Sequence, residues 1–101
     1  MLKKRFFNRK KTCKVTFELP ANIEEVQSAS IAGDFNDWDA AAAPLKKVKG
    51  VWKATIELEQ GAEYEFRYLV NGSDWHNDDG ADKWVPNNID GDNSVVVTTP
   101  A

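Results

Sequence analysis

The sequence has very little of what small proteins use to build disulfides, metal sites or membrane spans. Among its 101 residues are one cysteine and one histidine, which excludes a disulfide within the chain and cannot complete a four-ligand zinc site. A lone thiol fits a reducing compartment, so we expect a cytoplasmic location. No apolar run approaches the ~18 residues of a membrane span, and no apolar segment follows the basic start as in a secretory signal. We therefore expect no membrane partner.

Acidic residues are absent from the first seventeen positions, which carry seven lysines and arginines, although the whole chain has a net charge of −3. The remainder is therefore strongly acidic and would repel a polyanion, so we expect no nucleic-acid partner. We interpret residues 1–11 as a basic lead-in whose lysines protect a sheet edge. Residues 12–101 are interpreted as one domain, since the chain is long enough for one and too short for two.

Helical periodicity is also scarce, and apolar residues recur mainly at every second position. Cys13 to Leu19 alternates strictly between apolar and polar residues, as in a half-buried strand. Asn71-Gly72 is a strong hairpin signal. Five segments are predicted as strands: 13–19, 26–35, 51–58, 64–70 and 94–98. This pattern predicts an all-β sandwich of immunoglobulin-like size with about seven strands, with Trp52 in its core and Arg67 facing outward.

Catalytic and metal-binding patterns are weak. A glycosidase needs two carboxylates facing each other across a cleft, whereas the aspartates here fall mostly in loops, so we expect no enzyme. An EF-hand fails because Trp75 would stand at its first ligand position and Pro86 at its twelfth; a calcium loop of another kind stays open. Cys13 falls in the buried phase of its strand and is interpreted as an inert core thiol. We predict no catalytic residue, metal or cofactor.

Tryptophan, in contrast, is abundant, and three of the four lie in or beside polar loops: Trp38, Trp75 and Trp84. The stretch AGDFNDWD places an indole among three aspartates. Flat aromatic faces beside Asn, Asp and Arg side chains suit a neutral sugar, whose C–H bonds pack on the ring while its hydroxyls find polar partners. Partial packing against the sandwich is the alternative for any one of these tryptophans.

The blocks AGDFNDWD, PLKKVKGVWKATIELEQGAEYEFRYLVNG and DGDNSVVV resemble a glycogen-binding module of carbohydrate-binding family 48. Such modules occur on the β subunit of AMP-activated protein kinase and ahead of the catalytic domain in isoamylases and branching enzymes. The resemblance covers roughly residues 12–98. It implies an early-set, immunoglobulin-like sandwich that binds α-1,4-linked glucans such as glycogen, starch or maltodextrin without catalysis.

The resemblance also implies the site residues. Trp38 matches the tryptophan of the family's FNxW motif, and Trp75 corresponds to a second stacking platform. Arg67 takes the place of a lysine that hydrogen-bonds the glucan. Asn93 matches an asparagine that binds glucose hydroxyls, and Ile89 falls where a leucine inserts into the glucan helix.

The sequence departs from the kinase modules in three places. The turn NGSDW is one residue longer, Gly91 replaces a sugar-contacting threonine, and Trp84 stands where those modules have an aliphatic residue. Trp84 is included in the predicted carbohydrate site as a third loop tryptophan. A second hypothesis is a docking domain that keeps the fold without binding sugar, and that pairs with glycogen-metabolising enzymes or another copy through an edge strand.

Overall fold

A computed structural model describes residues 2–87 and 89–100, which form a sandwich of two antiparallel sheets. Nine strands follow one another along this part of the chain: β1 (Leu2–Phe7), β2 (Thr12–Glu18), β3 (Ala29–Gly33), β4 (Lys46–Val48), β5 (Val51–Glu59), β6 (Glu63–Val70), β7 (Asp74–His76), β8 (Lys83–Pro86) and β9 (Asp92–Val97). The first sheet has the order β1-β2-β5-β4. The second has the order β3-β6-β9-β8, and β7 also pairs with β6. The predicted all-β sandwich is confirmed.

The core follows the predicted alternation. Cys13, Val15 and Phe17 on β2 and Phe66 and Tyr68 on β6 are fully buried between the sheets, because alternate side chains of a strand point to the same face. Burial also raises the pKa of the Cys13 thiol. That thiol is therefore a small core residue, as predicted.

Trp52 was predicted to lie in the core, and it does so only in part. Its strand phase is correct, since it packs against the buried cluster. However, it stays half-buried and lines an open cavity at the end of the sandwich. The indole therefore closes one end of the core and does not fill its centre.

The basic N-terminal segment is more ordered than the lead-in predicted for residues 1–11, of which Met1 lies outside the described residues. β1 pairs with β2 over its whole length, from Leu2 opposite Phe17 to Phe7 opposite Thr12. Leu2 and Phe6 pack against the core. β1 is thus an outer strand of the first sheet, where its basic side chains sit at the predicted edge. Likewise, Asn88 and Ala101 of the predicted 12–101 domain lie outside the described residues.

The connection between β7 and β8 is pinned to the core by a buried carboxylate. Asp78 is fully buried, and one of its oxygens accepts a hydrogen bond from the Tyr68 hydroxyl at 2.7 Å. Its backbone N–H donates to Ser94 Oγ at 2.8 Å. Burial and this carboxylate raise the pKa of Tyr68 far above its ordinary value, so the phenol keeps its proton.

Helix is confined to the single 3₁₀ turn Asp34–Asn36 in the described ranges 2–87 and 89–100. None of the helical structure there is long and apolar enough to cross a membrane. The same ranges hold no group of three or more His, Cys, Asp and Glu side chains placed to bind a metal ion.

Candidate functional site

The outer face of the second sheet gathers most of the predicted site residues. Arg67 lies in the outward phase of β6, as predicted, between the buried Phe66 and Tyr68. Trp75 on β7 pairs directly with Leu69, two residues further along β6. Directly paired residues of antiparallel strands project from the same face. The sheet therefore presents Trp75 and Arg67 on its outer side.

Trp38 reaches this face through a tightly shaped loop after β3. A side chain at Gly33 would come within 2.5 Å of the Glu65 carbonyl oxygen, so a glycine is required for β3 to approach β6 here. Asp37 and Trp38 both adopt left-handed backbone conformations, with φ of 55° and 59°. The Trp38 N–H then donates to the Gly33 carbonyl at 2.9 Å and closes the loop.

Two side chains of the loop hold the Trp38 indole in place. The Asn36 amide accepts from the Gly33 N–H and donates to the Ile31 carbonyl, which braces the turn against β3. The Asp34 carboxylate accepts from the Trp38 indole Nε1 at 3.1 Å and from the Glu65 N–H at 2.8 Å. Asp34 thus ties the ring to the neighbouring strand while the indole stays 37% exposed.

The Asn71-Gly72 turn carries Trp75 to the same face. Both residues have positive φ, 54° and 75°, as the hairpin prediction requires. The Asn71 side chain accepts from the N–H groups of Gln27 and Ser28, which fixes the turn to the loop before β3. Trp75 then emerges on β7 with 45% of its surface exposed.

A network of polar side chains lies between the tryptophans and the turn after β8. Arg67 donates from Nε to Asn93 Oδ1 at 2.7 Å and from both terminal nitrogens to the Asp90 carboxylate. Asn93 in turn donates to Glu65 Oε1 at 3.1 Å. The hydrogen bond and charge of Arg67 lower the pKa of Asp90, so the carboxylate is ionised at neutral pH.

These groups line one open cavity of about 270 Å³. Its lining residues are Trp38, Arg67, Trp75, Asn87, Ile89, Asp90 and Asn93. Five of the six predicted site residues are therefore brought together. Asn87 and Asp90 were not predicted. Their signal in the sequence was the Asn and Asp-Gly of NNIDGDN, which is typical of a side-chain-stabilised turn.

The structure does not bring Trp84 into this site. On β8 it pairs directly with Ser94, whose fully buried side chain lies on the inner side of the second sheet. Its indole Nε1 donates to the Asp78 carbonyl at 3.0 Å. Neighbouring Asn93 faces the cavity on the other side. Trp84 is exposed because β8 is an edge strand, and its ring caps the pinned β7–β8 connection.

A second cavity, of about 620 Å³, lies at the end of the sandwich beside Trp52. Its described lining combines aliphatic side chains, among them Leu19, Ile23, Val26 and Val51, with the Trp52 indole and four charged residues. It includes none of the six predicted residues. The smaller cavity is the candidate functional site, because two exposed indoles and a polar network converge there.

A comparison with protein families identifies the family of the chain. The family model for carbohydrate-binding module 48, the isoamylase N-terminal domain, matches residues 10–85. The chain belongs to this family. The matched range includes Trp38, Arg67 and Trp75 and ends before Ile89 and Asn93. No curated protein matches the chain. The protein is thus a carbohydrate-binding module, from a family of non-catalytic binding domains.

Proposed function

We propose that this module binds α-1,4-linked glucans, such as glycogen, starch or maltodextrin, on the outer face of its second sheet. The observation that carries the proposal is the convergence of two exposed indoles, Trp38 and Trp75, with Arg67 and Asn93 around one open cavity. An open, shallow cavity suits a chain of sugars that passes across the surface. No catalytic step is proposed.

Each part of a glucan finds a suitable group in the cavity. The C–H faces of successive glucose rings can pack on the exposed faces of Trp38 and Trp75. Ile89, 90% exposed, offers an aliphatic contact at the rim. The second N–H of the Asn93 amide and the remaining lone pair of Asp90 Oδ2 can pair with sugar hydroxyls. Recognition by rings and hydrogen bonds needs no metal ion.

We expect the binding to be weak. Two platforms on a shallow face provide few contacts to offset the entropy lost by a flexible oligosaccharide. Dissociation constants for short maltodextrins should be micromolar to millimolar, roughly −8 to −4 kcal/mol. A polymer offers many sites and would be retained more strongly.

The test is a calorimetric titration with maltoheptaose, with and without EDTA, beside a β-1,4-linked glucan of similar length as the control. Retardation in a native gel that contains glycogen gives the polymer result. We expect binding to the α-linked sugars that EDTA does not change, and little binding to the β-linked one. No heat of binding with maltoheptaose together with no retardation by glycogen would refute the proposal.

One observation favours the second hypothesis, a docking domain for glycogen-metabolising enzymes or another copy. β1 exposes one side of its backbone, since no strand pairs with that side within residues 2–87 and 89–100. Such an edge can accept a strand from another chain. Failure to bind glucans together with concentration-dependent self-association in sedimentation experiments would favour docking.

A further inference from the structure

The Arg67 guanidinium is largely engaged by protein groups. It uses three of a guanidinium's five N–H donors on Asn93 and on both oxygens of Asp90. The Arg67 side chain is only 12% exposed, whereas that of Asp90 is 53% exposed. The ion pair therefore ties an exposed turn to a strand position in the middle of the sheet.

Asn87 braces the same turn from within. Its Oδ1 accepts from the backbone N–H groups of Ile89 and Asp90, at 2.9 and 3.0 Å. Its Nδ2 donates to Asp90 Oδ1 and Asn93 Oδ1, at 2.9 and 3.0 Å. Both lone pairs and both N–H groups of this amide are thus used inside the protein. Asn87 shapes the turn and has no donor left for a sugar.

The residue that this bracing presents is apolar. Ile89 lies in the turn next to Asp90, is 90% exposed, and lines the cavity with Trp38 and Trp75. Exposure of an aliphatic side chain to water is unfavourable, so a ligand that covers Ile89 would gain binding free energy. Polar groups that fix its backbone would lower the entropy lost when a ligand covers it.

We propose that Asp90 is a positioning residue, which together with Arg67 clamps the turn so that Ile89 stands at the rim of the cavity. The inference rests on the proposed glucan binding. It assigns to Arg67 mainly a role in holding the turn, and only secondarily one as a donor to sugar. A lysine at this position would have one ammonium and could not hold both Asp90 oxygens and Asn93 in one plane. The arginine of this chain is therefore matched to Asp90.

The direct and the positioning roles of Arg67 predict opposite results for Asp90→Asn. If Arg67 mainly donates hydrogen bonds to the sugar, the substitution releases its terminal N–H groups from Asp90, and glucan binding is unchanged or tighter. If the clamp matters, binding weakens because the turn loosens. Asp92→Asn removes the same charge from an exposed position that does not line the cavity, and it serves as the matched control.

The experiment is a set of maltoheptaose titrations. We expect Asp90→Asn and Arg67→Lys each to raise the dissociation constant about three- to tenfold, with the double variant no worse than the weaker single one. Asp92→Asn should bind as wild type. In an Ile89→Ala background, Asp90→Asn should change the constant less than about twofold, because the residue it positions is gone. Unchanged melting temperatures would show that the variants fold.

A measurement without sugar separates this inference from the proposed function. The Ile89 δ1 methyl signal in a carbon–proton NMR spectrum, identified by its loss in Ile89→Val, should shift or broaden in Asp90→Asn and stay unchanged in Asp92→Asn. If wild type bound no maltoheptaose, the proposed function would fail, and the methyl signal would still decide whether the clamp exists. An unchanged methyl signal in Asp90→Asn, additive losses in the double variant, or binding by Asp90→Asn as tight as wild type would overturn the clamp.

Discussion

Trp75 and Trp84 lie on short strands at the two ends of one connection, and each is 45% exposed. Their surroundings differ completely. Trp75 pairs with Leu69 on the outer face and lines the cavity. Trp84 pairs with the buried Ser94 and donates its indole N–H to the Asp78 carbonyl. Exposure alone therefore does not show on which face of the sheet a ring lies, whereas the register of the strand that carries the ring does.

A similar contrast distinguishes two aspartates, Asp78 in the connection between β7 and β8 and Asp90 in the turn between β8 and β9. Asp78 is fully buried and holds its loop to Tyr68 and Ser94. Asp90 is exposed and holds its turn to Arg67. Loss of the first should cost stability, and loss of the second should cost binding.

The largest expected effect contrasts Trp38 with Trp52. Trp38→Ala should abolish detectable glucan binding, because loss of a central aromatic contact costs about 2 kcal/mol or more. It should cost less unfolding free energy than Trp52→Ala, because the Trp38 indole is more exposed and lies outside the residues that pack against the core. Trp52→Ala should instead cost about 2–3 kcal/mol of stability, below the ~3–5 kcal/mol of a fully buried tryptophan, because it is half-buried. Thermal melts and maltoheptaose titrations measure both; if Trp38→Ala unfolded the domain, the assignment of the faces would be reversed.

Asp78→Ala should have the next largest effect, a loss of unfolding free energy. The Tyr68 hydroxyl would lose its 2.7 Å acceptor in a buried position, at a cost of about 1–3 kcal/mol. Asp79→Ala, its exposed neighbour, is the control and should melt within about 0.5 kcal/mol of wild type. Urea denaturation of the two variants gives the comparison. Equal midpoints would show that the buried carboxylate does not pin the β7–β8 connection.

Asp34→Ala should have a moderate effect on binding. It removes the acceptor that orients the Trp38 indole and also serves the Glu65 N–H. We expect maltoheptaose binding to weaken by about two- to tenfold, since a typical intramolecular hydrogen bond contributes about 0.5–1.5 kcal/mol and this carboxylate is exposed to water. Asp34→Asn keeps an acceptor and should recover most of the loss. Identical binding by the alanine variant and wild type would mean that the loop backbone alone orients the ring.

The smallest effect is a pH dependence from Asp90. The pKa of Asp90 is lowered by Arg67 in the folded protein. The contribution of ionised Asp90 to glucan binding is therefore complete above the ordinary carboxyl pKa of ~3.9. The contribution is lost only as the pH falls through the lowered value. The ratio of dissociation constants between Asp90→Asn and wild type should therefore be constant from about pH 5 to 8 and shrink towards one in stronger acid. A ratio that already falls at pH 6 would assign the effect to another group.

Much of this arrangement could be predicted from local pattern. Strict alternation placed Cys13, Val15 and Phe17 in the core, and it placed Arg67 outward. The AGDFNDWD and Asn71-Gly72 turns located Trp38 and Trp75, because their backbone conformations are encoded within a few residues.

What could not be predicted depends on contacts between distant residues. β1 was missed because Lys4 interrupts its apolar phase, and the Lys4 ammonium donates to Asp82, far along the chain. The face of Trp84 was missed because four residues ending in proline are too few to show an alternation. Asp90 was missed because its ion-pair partner, Arg67, lies twenty-three positions away. No local sequence pattern predicts that pairing.

Maltoheptaose titration of Trp75→Ala against Trp84→Ala tests the central claim most directly, because the two side chains are equally exposed and lie on opposite faces of one sheet. We predict that Trp75→Ala loses at least about tenfold in affinity, a change of roughly 1.4 kcal/mol, while Trp84→Ala binds as wild type once it is shown to be folded. Binding that survived in Trp75→Ala and disappeared in a folded Trp84→Ala would contradict the claim and would move the glucan site to the other face.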